Sequence, residues 1–526
     1  MDCGGRLEIT RKTPPQERFF TKNETINQKG AKQTMKNFLA FDLGASSGRA
    51  IIGTVDNGKL AMQEVHRFPN GPVEIDGSFY WDYPRLCNEL KTGLKNALQT
   101  GVKLDGIAID TWGVDYVFFD RTTGKARRLP YNYRDTRTVA AAEKVWQKIS
   151  QSELYQYTGI QCMTLNTIYQ LCAHYEEHPE DFENSFFLPI PDALALSLGG
   201  SAKAEYTFCS TTNLLDPASR NWHWELIDKL GLPRDVFPEI VEAGTLSGEL
   251  SAELCAELGC DPIPIFKCGA HDTASAVSAV PAPVEGSWAY LSAGTWALLG
   301  AEIDAPMISS ESEKQSLTNE GGVGGKIRFL TNIMGSWLFQ ELRRVWNEEG
   351  KNLSFNDMEQ MARKSEPCKY FINPNCSEFA APGDMPGNIR AFLKRTGQGE
   401  NFTDAEVVRA VYDSLALYFS EKIALLENLL KVKYACLNVV GGGTKDGFLM
   451  ELTASSLDRQ VVAGPVEATA AGNILVQAMA AGEVDSLAGV RQVIRNSFEL
   501  KTFTSDSAMA DKYASVREQF RVISTK

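Results

Sequence analysis

One pattern occurs twice in this chain, and it limits the possible folds more than any other feature. Residues 38–55 read FLAFDLGASSGRAIIGTV: an apolar run, a bend of small and hydroxyl residues, and a second apolar run. Residues 286–303 read GSWAYLSAGTWALLGAEI, with the same parts in the same order. Each reads as two adjacent strands joined by a tight turn. Aligned at their bends, DLGASSGRAII and YLSAGTWALLG share glycine and a hydroxyl residue but little identity, so the repeat is weak. A bend needs only one or two glycines. The surplus of small and polar residues asks for a ligand.

Around both hairpins, strand and helix patterns alternate, which predicts an α/β sheet in each half. PRLCNELKTGLKNAL sets Leu86, Leu90, Leu94 and Leu98 on one helical face. LDGIAIDTWGVDYVFFD reads as strand, loop, strand. In the second half, Thr403 and Glu406 form a capping box ahead of a long helix whose face carries Val408, Val411, Leu415, Phe419, Ile423, Leu426 and Leu430. LNVVGGGTKDGFLMELTAS then reads as buried strand, glycine turn and helix. A chain of 526 residues is too long for one core. The expected organisation is a flexible N-terminal tail at 1–36, a first domain at 37–280, a second at 281–500 and a C-terminal segment at 501–526, with the boundary in VPAPVEG, residues 280–286. Met35, directly before KNFLAFDLG, is a candidate start residue. Two facing lobes make a cleft, a common place for a small ligand.

Composition narrows the partners. A net charge of −13 with no basic block argues against nucleic acid and requires any polyanion to be held locally, by backbone N–H groups, a divalent cation and an arginine. No run of apolar residues is long enough for a membrane span. The eleven cysteines lack CxxC or zinc-type spacing, which reads as reduced thiols in a cytoplasmic protein, and the five histidines form no cluster.

Several motifs carry chemistry, each with a plainer reading beside it. Asp42, Gly44, Ala45, Ser46, Ser47, Gly48 and Arg49 make a bend whose amides suit phosphate oxygens, with Asp42 able to hold Mg²⁺ directly or through water; a plain hairpin is the alternative. Ser292–Thr295 is its counterpart in the second half. Gly441, Gly442 and Gly443 suit a nucleotide over a helix N-terminus. Asp272 suits either a general base or the cap of a helix beginning at Thr273, and His271 a scaffold or substrate contact. Asp110, Thr111, Trp112, Gly113 and Asp115 suit a sugar site, where rings stack on C–H faces and carboxylates accept from hydroxyls, or a core tryptophan with turn aspartates.

Eight stretches then occur in one order: DLGASSGR, AIDTWGVD, YRDTRT, GAHDTASAV, LSAGTWALLG, TNEGG, NIMGSWL and VAGPVEATAAGN. From about residue 37 to the C-terminus the chain resembles the FGGY family of carbohydrate kinases. The resemblance implies two ribonuclease-H-like domains, of the actin, hexokinase and Hsp70 ATPase type, around a central cleft. It implies phosphorylation by MgATP of a small sugar, L-rhamnulose at its 1-hydroxyl. Another ketose or polyol, such as fuculose, xylulose or glycerol, is the alternative, and an actin-like or chaperone-like ATPase a more distant one. It further implies that Ala45, Ser46, Ser47, Gly48 and Arg49 line the ATP phosphates and that Thr295, Gln340 and Gly443 contact the nucleotide. Gly113, His271, Asp272, Thr273 and Asn332 would contact the sugar, with Asp272 as the catalytic base. The leader lies outside the pattern, paired cysteines sometimes seen in the family are missing, and Asp446 stands where the family often has asparagine.

Overall fold

The computed structural model describes residues 35–283 and 286–526. Residues 1–34 of the expected tail, and Val284 and Glu285 of the expected boundary, lie outside the described residues. Strand β1 (Lys36–Leu43) turns into β2 (Ser47–Asp56) and then β3 (Lys59–Pro69), so ordered pairing begins at Lys36, inside the expected tail. Helix α1 (Tyr83–Gln99) starts where the Asp82 side chain accepts from Arg85 N, and it buries Leu86, Leu90 and Leu94; Leu98, near its end, is half-buried. Strand β4 (Gly106–Thr111) follows, then an insertion in which β5 (Tyr116–Asp120) pairs with β6 (Ser185–Pro189). Strands β7 (Leu246–Glu249) and β8 (Pro264–Phe266) and helix α2 (Asp272–Ser278) complete the first lobe.

The second lobe opens with β9 (Trp288–Ala293), β10 (Trp296–Ile303), β11 (Thr318–Gly321) and β12 (Ile327–Met334). Helix α3 (Trp337–Glu348) and the long α4 (Asp404–Leu430) follow, the latter begun by the Thr403–Glu406 capping box. The chain ends through β13 (Cys436–Val440), α5 (Gly447–Leu457), β14 (Gln460–Ala463), α6 (Ala468–Ala480), α7 (Leu487–Ser497), β15 (Lys501–Phe503) and α8 (Ser507–Ser524). Residues 501–526 add strand β15 to the edge of the second sheet and put Tyr513, Phe520 and Ile523 into its core.

The weak repeat of the sequence becomes a clear repeat of topology. The first sheet runs β7-β8-β4-β1-β2-β3 and the second β11-β12-β10-β9-β13-β14-β15. In each, a hairpin pairs antiparallel, its first strand pairs parallel with a later strand, that strand pairs parallel with the next, and an antiparallel strand closes one edge.

Side chains alternate across β1. Leu39, Phe41 and Leu43 pack with α1, while Phe38 and Ala40 point the other way. That second face joins a cluster made by α2, α6, α7 and Tyr290, Leu330 and Val440 of the second sheet. The lobes therefore share an apolar core. At its centre α2 and α6 touch backbone to backbone: a Cβ placed on Gly472 would lie 1.9 Å from the carbonyl oxygen of Ser275. From α6, Asn473 Nδ2 donates to Asp110 Oδ2 (2.6 Å) and Gln477 Nε2 donates to the Leu39 carbonyl (3.2 Å).

In an unconstrained helix Gly→Ala gains about 1 kcal/mol. Here Gly472→Ala is expected to lose about 1–3 kcal/mol, because the methyl has no room at the crossing. Urea unfolding measures it, and an unchanged or raised midpoint would contradict the close crossing.

Candidate active site

Strand register gathers three carboxylates at one end of the first sheet. Asp42 on β1 lies opposite Arg49 on β2 and beside Asp110 on β4. The next residue of β4, Thr111, bridges to His271, and Asp272 follows as the first residue of α2. These are the carboxyl ends of parallel strands, where open α/β sheets bind ligands. Burial raises the pKa of Asp42; Arg49 opposes the rise, and the charges of Asp272 and Glu467 add to it. Burial raises Asp110 further, helped by Asp42, and its Oδ1 is buried with no hydrogen-bond partner.

The arginine of the first bend faces away from solvent. Arg49 Nη2 pairs with Asp42 Oδ2, and its Nη1 pairs with Glu467 Oε2, the residue just before α6. One guanidinium thus ties the two lobes together beside the carboxylates. The turn itself remains accessible, with Ser46 exposed and Gly44, Ala45 and Ser47 half-buried, and Gly48 packed against Phe68.

The cap reading of Asp272 fails. The helix begins at Asp272, not Thr273; its N-cap position is His271, and no side chain caps it. Asp272 Oδ1 accepts from the Thr273 hydroxyl (3.0 Å), and the side chain is 32% exposed. Behind it, Glu205 Oε2 accepts from Ala270 N (3.2 Å) and from the Thr207 hydroxyl (2.5 Å), whose oxygen accepts from His271 N (3.4 Å). Burial pushes Glu205 up to about 7.

Of the expected sugar contacts, Gly113, His271, Asp272 and Thr273 come together. A Cβ on Gly113 would sit 3.4 Å from His271 Nε2 and 3.3 Å from Thr211 Oγ1. Asn332 arrives on β12 of the second lobe and donates to Gln161 Oε1 of the first (3.3 Å). Trp112 takes the plainer of its readings: it is buried and stacks on Trp81 with centroids 4.0 Å apart. Its neighbour Asp115 is a hub that accepts from Trp81 Nε1 (2.6 Å), Trp112 Nε1 (2.9 Å), Gln170 Nε2 (2.9 Å) and Tyr133 N (3.3 Å). Burial pushes Asp115 up to about 6 against these donors.

In the second lobe the turn after β9 leaves Gly294 and Thr295 exposed. Ser336 Oγ donates to the Gly294 carbonyl (2.7 Å), Trp337 N donates to the Thr295 carbonyl (3.2 Å), and Gln340 Nε2 donates to Ser336 Oγ (3.1 Å). The triple glycine lies against the same turn. Gly441 has φ +89°, a left-handed value, and a Cβ on it would meet the Ala293 carbonyl at 2.9 Å; on Gly443 it would meet Ala293 Cβ at 2.6 Å. Gly442 has open space around it, so packing does not explain the third glycine. The last two glycines belong to a 3₁₀ turn, Gly442–Lys445, that precedes α5, whose N-terminus Asp446 already caps through Leu449 N (2.9 Å). Asp446 also accepts from the Tyr412 hydroxyl (2.9 Å). Its carboxylate is spent on the fold, a role asparagine fills as well. Thr295, Gln340 and Gly443 are therefore adjacent, and Gly441 N donates to the Pro465 carbonyl (3.0 Å), two residues from Glu467.

Sequence reasoning missed Gln161, Glu205, Arg328 and Glu467. Glu467 lies within VAGPVEATAAGN, but only the tertiary structure sets it against Arg49. Among the described residues, no group of three or more His, Cys, Asp or Glu side chains is close enough to hold a metal ion by itself. No described helix is long and apolar enough to cross a membrane, and the ten described cysteines are all free.

The model of the N-terminal domain of the FGGY family of carbohydrate kinases matches residues 37–278, and that of the C-terminal domain matches residues 289–481. A rhamnulokinase of Bacteroides thetaiotaomicron is 41% identical over 469 residues, covering 89% of this chain and 96% of its own. One of Ligilactobacillus salivarius is 36% identical over 488 residues, covering 92% and 99%. Among solved structures, a gluconate kinase from Lactobacillus acidophilus superposes with TM-score 0.77 at 16% identity, covering 94% of this chain and 98% of its own. Plasmodium falciparum glycerol kinase with ADP gives 0.75 at 18% identity, covering 93% and 98%. At such identities the structures show a shared fold.

Asp115→Ala strands two buried indole N–H groups. At about 1–3 kcal/mol for each unpaired group, it is expected to cost about 2–5 kcal/mol in urea unfolding. A loss below about 1 kcal/mol would mean that water replaces the carboxylate.

Proposed function

The chain belongs to the FGGY family of carbohydrate kinases, and from that premise we propose that it transfers the γ-phosphoryl group of ATP to the 1-hydroxyl of L-rhamnulose. The observation that carries the sugar assignment is the near full-length identity of 35–41% to eight curated proteins, each named a rhamnulokinase. The paired lobes, the two accessible turns and the carboxylate group between them support the reaction.

In this reading the sugar occupies the space bounded by Gly113, His271, Asp272, Thr273 and Asn332. ATP lies with its phosphates at the first turn, Ala45–Arg49, and its nucleotide end at Thr295, Gln340 and Gly443. Asp272 accepts the proton of the attacking hydroxyl while the sugar oxygen bonds to the γ-phosphorus and ADP leaves with the electron pair of the broken P–O bond. The absence of any cap role leaves Asp272 available for this. Phosphoryl transfer asks little covalent work of a protein. Holding donor and acceptor in line supplies about 7–11 kcal/mol, against about 3–5 kcal/mol for a base. Arg49 is already shared between Asp42 and Glu467, so it meets a phosphate by loosening one of those pairs.

The donor set fits Mg²⁺. Asp42 and Asp110 offer hard carboxylate oxygens, and Asp110 Oδ1 is buried without a partner. Two protein carboxylates are few, but Mg²⁺ takes most of its ligands from phosphate and water. Bound there, the ion would neutralise phosphate charge in a chain whose net charge is −13. The free thiols suit a reducing, cytoplasmic setting.

ADP release with MgATP and single acceptors tests the substrate. L-Rhamnulose is expected to give the highest kcat/KM, above L-fuculose, D-xylulose and glycerol; another preferred sugar reassigns the substrate, and hydrolysis unaffected by sugar removes the kinase reading. Asp272→Asn is expected to lower kcat by about 10²–10⁴-fold with ATP affinity and unfolding midpoint unchanged. Turnover within about threefold of the parent would refute the base.

A further inference from the structure

The second lobe sends a buried arginine into the sugar side of the first. Arg328 is fully buried on β12, on the same strand face as Leu330 of the shared core and Asn332. Its Nε donates to the Gly321 carbonyl (2.8 Å). Its Nη2 lies 3.0 Å from His271 Nδ1 and 3.0 Å from Oε2 of Glu320, its cross-strand partner on β11. Glu320 Oε2 is also 3.4 Å from His271 Nδ1, but it is not placed to accept a hydrogen bond from the ring. Burial pushes the Glu320 carboxyl up, but the Arg328 charge, the largest opposing influence, holds it below its usual value, so it stays ionised beside the guanidinium.

From this geometry we infer that Arg328 is a positioning residue that holds His271 neutral with its proton on Nε2, making the ring a hydrogen-bond donor toward the sugar. The inference rests on the reading of His271 as a sugar contact. A guanidinium carries only donors and does not give up its proton. An N–H aimed at Nδ1 therefore requires a lone pair there, and the ring proton sits on Nε2. Protonating Nδ1 would set donor against donor and cation against cation at 3.0 Å. Nε2 faces Gly113 and lies 3.5 Å from Asp272 Oδ1. A neutral ring there donates to a sugar oxygen without placing a positive charge beside the base, which would weaken it as a proton acceptor. Because the arginine belongs to the other lobe, the donor is set only when the lobes are in register.

The test uses the full chain with nitrogen-labelled histidine. There are five histidines, and His271→Gln assigns the signal. The ring of His271 is expected to show one unprotonated nitrogen at Nδ1 and one protonated at Nε2. A proton on Nδ1, or rapid exchange between the two forms, would overturn the inference whatever the catalytic activity, so it fails separately from the sugar-kinase reading. In Arg328→Met the ring is expected to lose its single form, with KM for the sugar raised about tenfold or more and KM for ATP within about twofold. An unchanged tautomer with an unchanged sugar KM would also overturn it. Should Arg328→Met fail to fold, Glu320→Gln, which removes the charge paired with Arg328 at nearly the same side-chain size, is expected to give a smaller shift in the same direction; no shift in spectrum or sugar KM counts against the role.

Discussion

The contact on which the rest of the molecule depends is the crossing of α2 and α6, where Gly472 meets the Ser275 backbone with no room for a side chain. Each helix begins at the candidate site. Asp272 opens α2, and Glu467 immediately precedes α6. The distance between Asp272 and the partner of Arg49 is therefore governed by how closely two backbones can approach. Small residues along α2, from Thr273 to Ser278, make that approach possible. Asn473 and Gln477 then tie α6 to the end of β4 and the middle of β1.

Burying Asp42 and Asp110, with Asp272 and Glu467 nearby, has a physical cost, visible in the raised pKa values of Asp42 and Asp110. Arg49 offsets it at Asp42 and the Asn473 amide offsets it at Asp110, the second of these across the lobes. A site of this kind is poorly satisfied by itself and better satisfied by a cation with its phosphates. The side proposed for the sugar is arranged differently. There Glu205, Asp115 and the Arg328–Glu320 pair act behind the contact residues, fixing backbone N–H groups, indoles and the His271 ring.

Much of the fold was legible in one dimension. Apolar runs on either side of a polar bend marked the hairpins, four-residue spacing marked α1, and Thr403 with Glu406 marked the start of α4, because these signals depend on neighbours within a few residues. The start of α2 was misplaced by one residue because aspartate is common both at a cap and in a first turn, and only backbone angles separate the two. Trp112 was undecided for a similar reason: an aromatic residue between aspartates suits a sugar or a core until Trp81, distant in sequence, is known to stack on it. Asp446 looked like an altered ligand contact until Tyr412 and Leu449 were seen to occupy it.

The amino-acid sequence by itself determined the doubled α/β plan, the polar bends and the residue types available for holding phosphate and sugar, since each follows from local sterics and hydrophobic period. Tertiary structure alone decided which charges meet. Arg49 with Glu467, Arg328 with His271 and Asn473 with Asp110 join residues from opposite lobes. Such pairings follow from the twist of two sheets and the packing of two helices between them, and no local preference encodes a distance of that kind.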